Sequence, residues 1–264
     1  MNRNKNRIVI IWLIIGLVLG TSYKLIAQDA SMVKIPDGYW RPFFKGTDTL
    51  ISVSTFYLDK KQVTNEEYEQ FVAHHPEWSS EKVKPVFADE NYLIHWKNRS
   101  ESDQRVLSKQ PVVNVSWFAA RAYCRSLGKR LPTTAEWEYA ASAPPIGRSI
   151  NDSILQEIIA NWYSRRIEAG KPVGSIYENS YGLWDMYGQV WEWVLDFDAM
   201  KSSDDSRGQD VIPQGLFCGS ASMDVVDASD YTGFIRFAFR SSLKGNYTVR
   251  NLGFRCAADE AALP

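Results

Sequence analysis

The chain has 264 residues, 45% of them apolar and 13% aromatic, enough to bury one substantial core in one large domain or two small ones. Lys and Arg together number 30 against 31 Asp and Glu, a formal net charge of −1, and no Arg/Lys-rich stripe breaks that balance. Nothing here can hold a phosphate backbone, so nucleic-acid binding is disfavoured, and the ten Trp and 13 Tyr suit a rigid core or a peptide groove instead.

Met1 to Arg7 carries Arg3, Lys5 and Arg7 without an acid, and Ile8 to Gly20 follows as 13 apolar or small residues. A basic region before an apolar run of that length reads as an export signal, short for a membrane span of about 20 residues. Cleavage after Ala27 would leave a domain of residues 28–264, but Leu25 is large for its place in a cleavage site. Residues 1–27 are therefore a signal peptide or, alternatively, an uncleaved N-terminal anchor. Either way the folded part is expected in the periplasm or otherwise outside the cytoplasm, meeting membrane only through that segment.

Ile51 to Leu58 alternates moderately and reads as strand. Thr64-Asn65-Glu66-Glu67 is a capping box, with Tyr68, Phe71 and Val72 following at helical spacing. Pro76 to Gln110 reads as a polar loop holding Trp78, Phe87, Tyr92 and Trp96. Ser116 caps a helix from Trp117 to Leu127 that Gly128 stops, and Thr133 with Glu136 caps another carrying Trp137, Tyr139 and Ala140. A weaker helix is placed at Ser153 to Ile159, a loop at Ser202 to Gly215, and a strand at Phe234 to Ser241. The sum is an irregular α+β domain with little regular secondary structure and long loops, which inside a compact domain mean function or packing by their own side chains. The cysteines are Cys124, Cys218 and Cys256, none at metal-binding spacing. In an exported chain an odd count means one bridge and a free thiol, or no bridge.

Five ordered segments carry a resemblance. They are Met32 to Gly38; Phe56 to Asp59 with Val63 to Tyr68; Pro111 to Trp117 running through Cys124 and Gly128 to Ala140; Tyr181 to Gly188 with Val190 to Trp193; and Asn251 to Ala258. Together they resemble the formylglycine-generating enzyme, or sulfatase-modifying factor, family over almost all of the chain beyond the N-terminal segment. The resemblance implies that family's C-type-lectin-like α+β fold. It also implies a disulfide between Cys124 and Cys256, with Cys218 free; a second bridge of exported relatives would join the positions of Ala141 and Phe237. The runs Lys84 to Tyr92 and Leu216 to Ser220 resemble a subgroup encoded beside copper nitrite reductases.

Enzymes of the family oxidise a substrate cysteine with oxygen, using two cysteines that bind copper(I) as soft thiolates. Those cysteines follow the segment represented here by Gly219-Ser220. Counting forward from it places Met223 at the first, and counting back from Arg236 and Arg240 places Thr232 at the second; no Cys lies between Ser220 and Arg255. Thr cannot replace a thiolate, so copper-dependent formylglycine formation is not expected. Cys218 is either a surviving site thiol and weak metal ligand or an ordinary small buried residue. Iron held by three histidines, as in related sulfoxide synthases, is disfavoured, because adjacent His74 and His75 point about 100° apart on a helix and only His95 remains.

The resemblance places Trp191, Trp193, Ser220, Arg236 and Arg240 around or beneath one cleft near Met223, with Cys218 beside it. Arg236 and Arg240 would share a face of their strand, or simply pair with a buried acid. Glu192, between two indoles, is a hydrogen-bond hub or a calcium ligand as in some relatives. Two functions fit: an accessory or maturation factor that binds another exported polypeptide, or an oxidative enzyme with altered metal chemistry acting on a peptide-borne side chain.

Overall fold

The computed structural model describes residues 31–42, 50–97, 99–149, 153–164, 170–197 and 231–260. The N-terminal segment and residues 198–230 lie outside them, and with these Cys218, Ser220 and Met223. No helix among the described residues is long and apolar enough to cross a membrane.

Strands β1 (Met32–Ile35), β4 (Phe56–Asp59) and β7 (Ala257–Asp259) form an antiparallel sheet in the order β1-β4-β7. Its register sets Ile35 opposite Phe56 and Leu58 opposite Ala257, so the apolar side chains of both pairs meet in the core. The sequence-predicted strand Ile51 to Leu58 is thus two: β3 (Ile51–Val53) pairs instead with β2 (Gly38–Trp40). A short parallel pair joins β5 (Trp191–Glu192) to β6 (Leu252–Gly253), stitching two of the quoted motifs together.

Helix α1 (Asn65–His74) begins as its capping box dictates, Thr64 and Glu67 each satisfying the other's backbone N–H. A second such box, Ser100 with Asp103, starts α2 (Glu101–Leu107) inside the stretch expected to be loop. That helix buries none of its residues, so no apolar face marks it in the sequence. Helix α3 (Trp117–Ser126) is capped by Ser116, and Gly128 at φ +70° turns the chain out of it. Pro132 and the Thr133–Glu136 capping box then start α4 (Thr134–Ala141).

Between these helices the Gly-Lys-Arg-Leu-Pro turn anchors the three-stranded sheet. Arg130 exchanges backbone hydrogen bonds with Ala257 and clamps both Glu136 and Asp259, while Lys129 meets Asp59 at 2.8 Å. Helix α5 (Ile154–Ser164) extends the weak helix expected at Ser153 to Ile159 by about one turn.

Residues Phe234 to Ser241 are not a strand. They belong to helix α6 (Tyr231–Ser242). A short apolar and aromatic run has no decisive period, and positions i and i+4 share a face in either structure. Here packing decides: Phe239 lies on Trp191, and Arg236 and Arg240 both close on Glu138 of α4.

The core is one cluster. Tyr68, Phe71, Tyr123 and Phe254 pack ring on ring, and Tyr68 reaches Tyr92 at 2.8 Å, which in turn donates to the Trp78 carbonyl. Beside this cluster Cys124 of α3 is disulfide-bonded to Cys256, with Cα atoms 5.6 Å apart. The bond ties α3 to the end of the three-stranded sheet across 132 positions of sequence.

Candidate functional site

The tryptophan-flanked carboxylate lies at the centre of the framework. Glu192 receives four N–H donors: Gln62 Nε2 (2.9 Å) and Arg255 Nη2 (2.8 Å) at Oε1, Trp137 Nε1 (2.8 Å) and Arg255 Nε (2.8 Å) at Oε2. Neither charged side chain of the pair retains any exposure. Arg255 also donates to the carbonyls of Asp59, Lys60 and Trp184, which uses its remaining N–H groups. This is the hub of the two readings given for Glu192; a calcium ion would have to displace Arg255 to reach either oxygen.

Asp185, in the Tyr-Gly-Leu-Trp-Asp-Met segment, plays a parallel part with backbone donors. It adopts φ +54°, and its carboxylate accepts from the amides of Gly174, Ser175, Ile176 and Tyr177. Its own carbonyl accepts from Gln62, the residue that also reaches Glu192. These carboxylates hold loops in place and leave no open ligand positions.

The two tryptophans of the Trp-Glu-Trp run separate. Trp193 has no exposure and donates to the Val115 carbonyl at 2.9 Å, so it can support a cleft from below but cannot line one. Trp191 is half-buried between Phe239 (4.4 Å between centroids) and Tyr163 (5.4 Å), stacked on both, with Trp162 tilted at 4.8 Å. Helices α5 and α6 therefore meet over β5 through aromatic rings.

Arg236 and Arg240 lie one turn apart on α6, on a helix face rather than the face of a strand. Both bind one acid: Arg236 meets both Glu138 oxygens through Nε at 3.0 and 3.1 Å, and Arg240 Nη1 reaches Oε1 at 2.5 Å. Burial pushes the Glu138 carboxyl up, but the two guanidiniums hold it below its ordinary value. Arg236 lies over the Tyr187 ring at 5.4 Å and Arg240 over Trp137 at 5.0 Å. Thr232 lies in the first turn of α6, and its carbonyl accepts a long 3.4 Å bond from the Tyr163 hydroxyl.

Sequence reasoning missed Glu138, Tyr163, Trp162 and Phe239. A carboxylate on a helix beside Trp137 and Tyr139 looks like any solvated acid, and only the fold turns it inward.

The residues present do not fit the family's copper centre. The chain has three cysteines, and two of them are spent in the Cys124–Cys256 disulfide. One thiol, Cys218, remains where two thiolates are needed. The histidines offer no alternative: His74 Nδ1 pairs with the Gln70 carbonyl, His75 faces Glu77, and His95 is held by Asn65. Among the described residues no three His, Cys, Asp or Glu side chains come together as a metal site.

A family model described as the sulfatase-modifying factor enzyme 1-like domain matches residues 25–260. The chain belongs to this family. Its relatives include proteins of both kinds. The mouse formylglycine-generating enzyme is 30% identical over 288 aligned positions, covering 86% of this chain and 75% of that one. A mouse protein named inactive Cα-formylglycine-generating enzyme 2 is 29% identical over 280, covering 88% and 87%. Among solved structures, PvdO from Pseudomonas aeruginosa superposes with a TM-score of 0.47 at 16% identity, covering 86% of this chain and 94% of that chain.

Proposed function

We propose that this chain is an exported accessory or maturation factor that binds another exported polypeptide and does not itself make formylglycine. The observation that carries the reading is the cysteine count: a disulfide takes two of three, and a copper site built on a thiolate pair has one thiol left. The framework among the described residues supports the reading, with the Glu192–Arg255 hub and the aromatic junction of α5, α6 and β5 in place. A framework kept without its reactive pair fits binding better than oxidation. The basic and apolar N-terminal segment supports export to the periplasm or beyond, where the disulfide would persist.

The test is direct. Full-length protein, supplied with copper and oxygen, is incubated with a Cys-x-Pro-x-Arg peptide, and the peptide is weighed by mass spectrometry. The reading predicts an unchanged mass; the mass loss of cysteine-to-formylglycine conversion would overturn it. Metal analysis of the purified protein addresses the other member of the pair of functions, since stoichiometric copper or iron would favour an oxidative enzyme with altered chemistry.

A further inference from the structure

Among the described residues, the charges in the α4–α6 contact do not balance. Glu138 brings one negative charge, and Arg236 and Arg240 bring two positive ones, all three side chains being about a tenth exposed or less. Neither arginine pairs with another acid among the described residues. Buried ionic groups are ordinarily matched in charge, because an unmatched one loses hydration without replacement.

The hydrogen-bond inventory shows where the surplus lies. Arg236 uses Nε and Nη2 on Glu138, while its Nη1, out of contact with solvent, has no hydrogen-bond partner. The rings of Tyr187 and Trp137 lie against the two guanidiniums, with Tyr163 beside Arg236, and keep the local dielectric low, which strengthens any charge that enters.

We propose that Arg236, backed by Arg240, is a carboxylate subsite that takes an acidic side chain of the bound polypeptide. This rests on the polypeptide-binding reading above and names the chemistry of the partner. A carboxylate brings the single negative charge that neutralises the cluster, whereas a phosphate at neutral pH brings more. It also offers the planar oxygen pair that matches a guanidinium edge. Tyr163 is the group that can give way to admit it: half-buried, its hydroxyl stands beside the Arg236 guanidinium, where an entering carboxylate would replace it, and otherwise rests on the first turn of α6 through the long 3.4 Å bond to the Thr232 carbonyl.

The experiment uses full-length protein and two pools of short fluorescein-labelled peptides, identical except that one carries Glu where the other carries Gln. Fluorescence anisotropy should show the Glu pool binding about tenfold tighter, the scale of one charge-assisted, buried hydrogen-bonded contact. The Arg236→Gln variant should lose that preference while keeping the weaker binding common to both pools. Near-UV circular dichroism checks that it is folded; if it is not, Arg236→Lys, which keeps the charge but not the planar edge, should narrow the preference. Equal binding of the two pools by the wild type overturns the subsite and leaves polypeptide binding standing. Binding of neither pool overturns both. A preference that survives in Arg236→Gln, or calorimetry in which sodium acetate binds and the peptides do not, overturns the assignment to a peptide carboxylate at Arg236.

Discussion

Arg255 meets Glu192 through two parallel hydrogen bonds of 2.8 Å in a pair from which water is excluded altogether. The arginine comes from the Gly-Phe-Arg-Cys tail and the glutamate from the Trp-Glu-Trp run, 63 positions apart in sequence. The pair locks β5 to β6 from the side-chain direction as the backbone ladder locks them in register.

Neutralising one partner should therefore be severe. In Glu192→Gln the Arg255 charge stays buried with its main counter-charge gone, and the expected loss is about 3–5 kcal/mol. Urea unfolding monitored by tryptophan fluorescence measures it. A loss below about 1 kcal/mol, the range of exposed ion pairs, would mean that the pair is solvated.

The disulfide closes a loop spanning 132 positions, for which the chain-entropy model gives about 4–5 kcal/mol. A Cys124→Ala/Cys256→Ala double variant should lose about 2–5 kcal/mol of stability. Unfolding midpoints with and without reductant should converge for that variant and differ for the wild type.

His95 makes stability depend on pH. Asn65 donates through Nδ2 to the carbonyls of Leu107, Gln110 and Pro111, which leaves its Oδ1 as an acceptor for both Trp96 Nε1 and His95 Nε2. His95 is thus neutral with the proton on Nε2, and its buried Nδ1 has no partner. Burial lowers its pKa from 6.5 to about 4. The charged neighbours, Arg99 over the Trp96 ring and Glu69 paired with Arg99, offset one another.

Because the folded value is depressed, the unfolded chain binds the extra proton between pH 6.5 and about 4. The contribution from neutral His95 is complete above pH 6.5 and is lost as the pH falls toward about 4. Thermal midpoints of wild type should fall more steeply across that window than those of His95→Gln. Parallel curves would refute this role.

Gly253 and Gly128 separate two reasons for glycine. A Cβ at Gly253 would lie 2.6 Å from the Val112 carbonyl oxygen, a clash with backbone that cannot rotate away. A Cβ at Gly128 meets nothing within 4 Å, but the residue sits at φ +70°. Gly253→Ala should cost about 1–3 kcal/mol through forced backbone movement, and Gly128→Ala about 1–2 kcal/mol through conformational strain alone. Chemical denaturation checks both, and a neutral Gly253→Ala would contradict the close approach.

Much of the scaffold was legible because it is written in local chemistry. Capping boxes at Thr64 and Thr133 and the cap at Ser116 act within one turn, so three helix starts follow from neighbouring residues. The tail with Cys256 and the helix with Cys124 were readable only through the resemblance, since no spacing rule pairs residues 132 positions apart. What stayed hidden depends on long-range packing. Helix α2 shows no apolar stripe, and α6 is an aromatic run whose state is set by Trp191 and Glu138 from elsewhere in the chain. The arginine pair divides the same way: its two members share a face, now of a helix rather than a strand, while Glu138 and Tyr163, which give those arginines their setting, carry no mark in the sequence.

The central claim is that a scaffold of the formylglycine-generating family retains one thiol where its oxidase chemistry needs two, and counting thiols tests it most directly. Purified full-length protein is unfolded in denaturant without reductant, alkylated, digested and mapped by mass spectrometry. The account predicts modification at Cys218 alone, with Cys124 and Cys256 recovered as one linked peptide pair; alkylation of all three cysteines would contradict it.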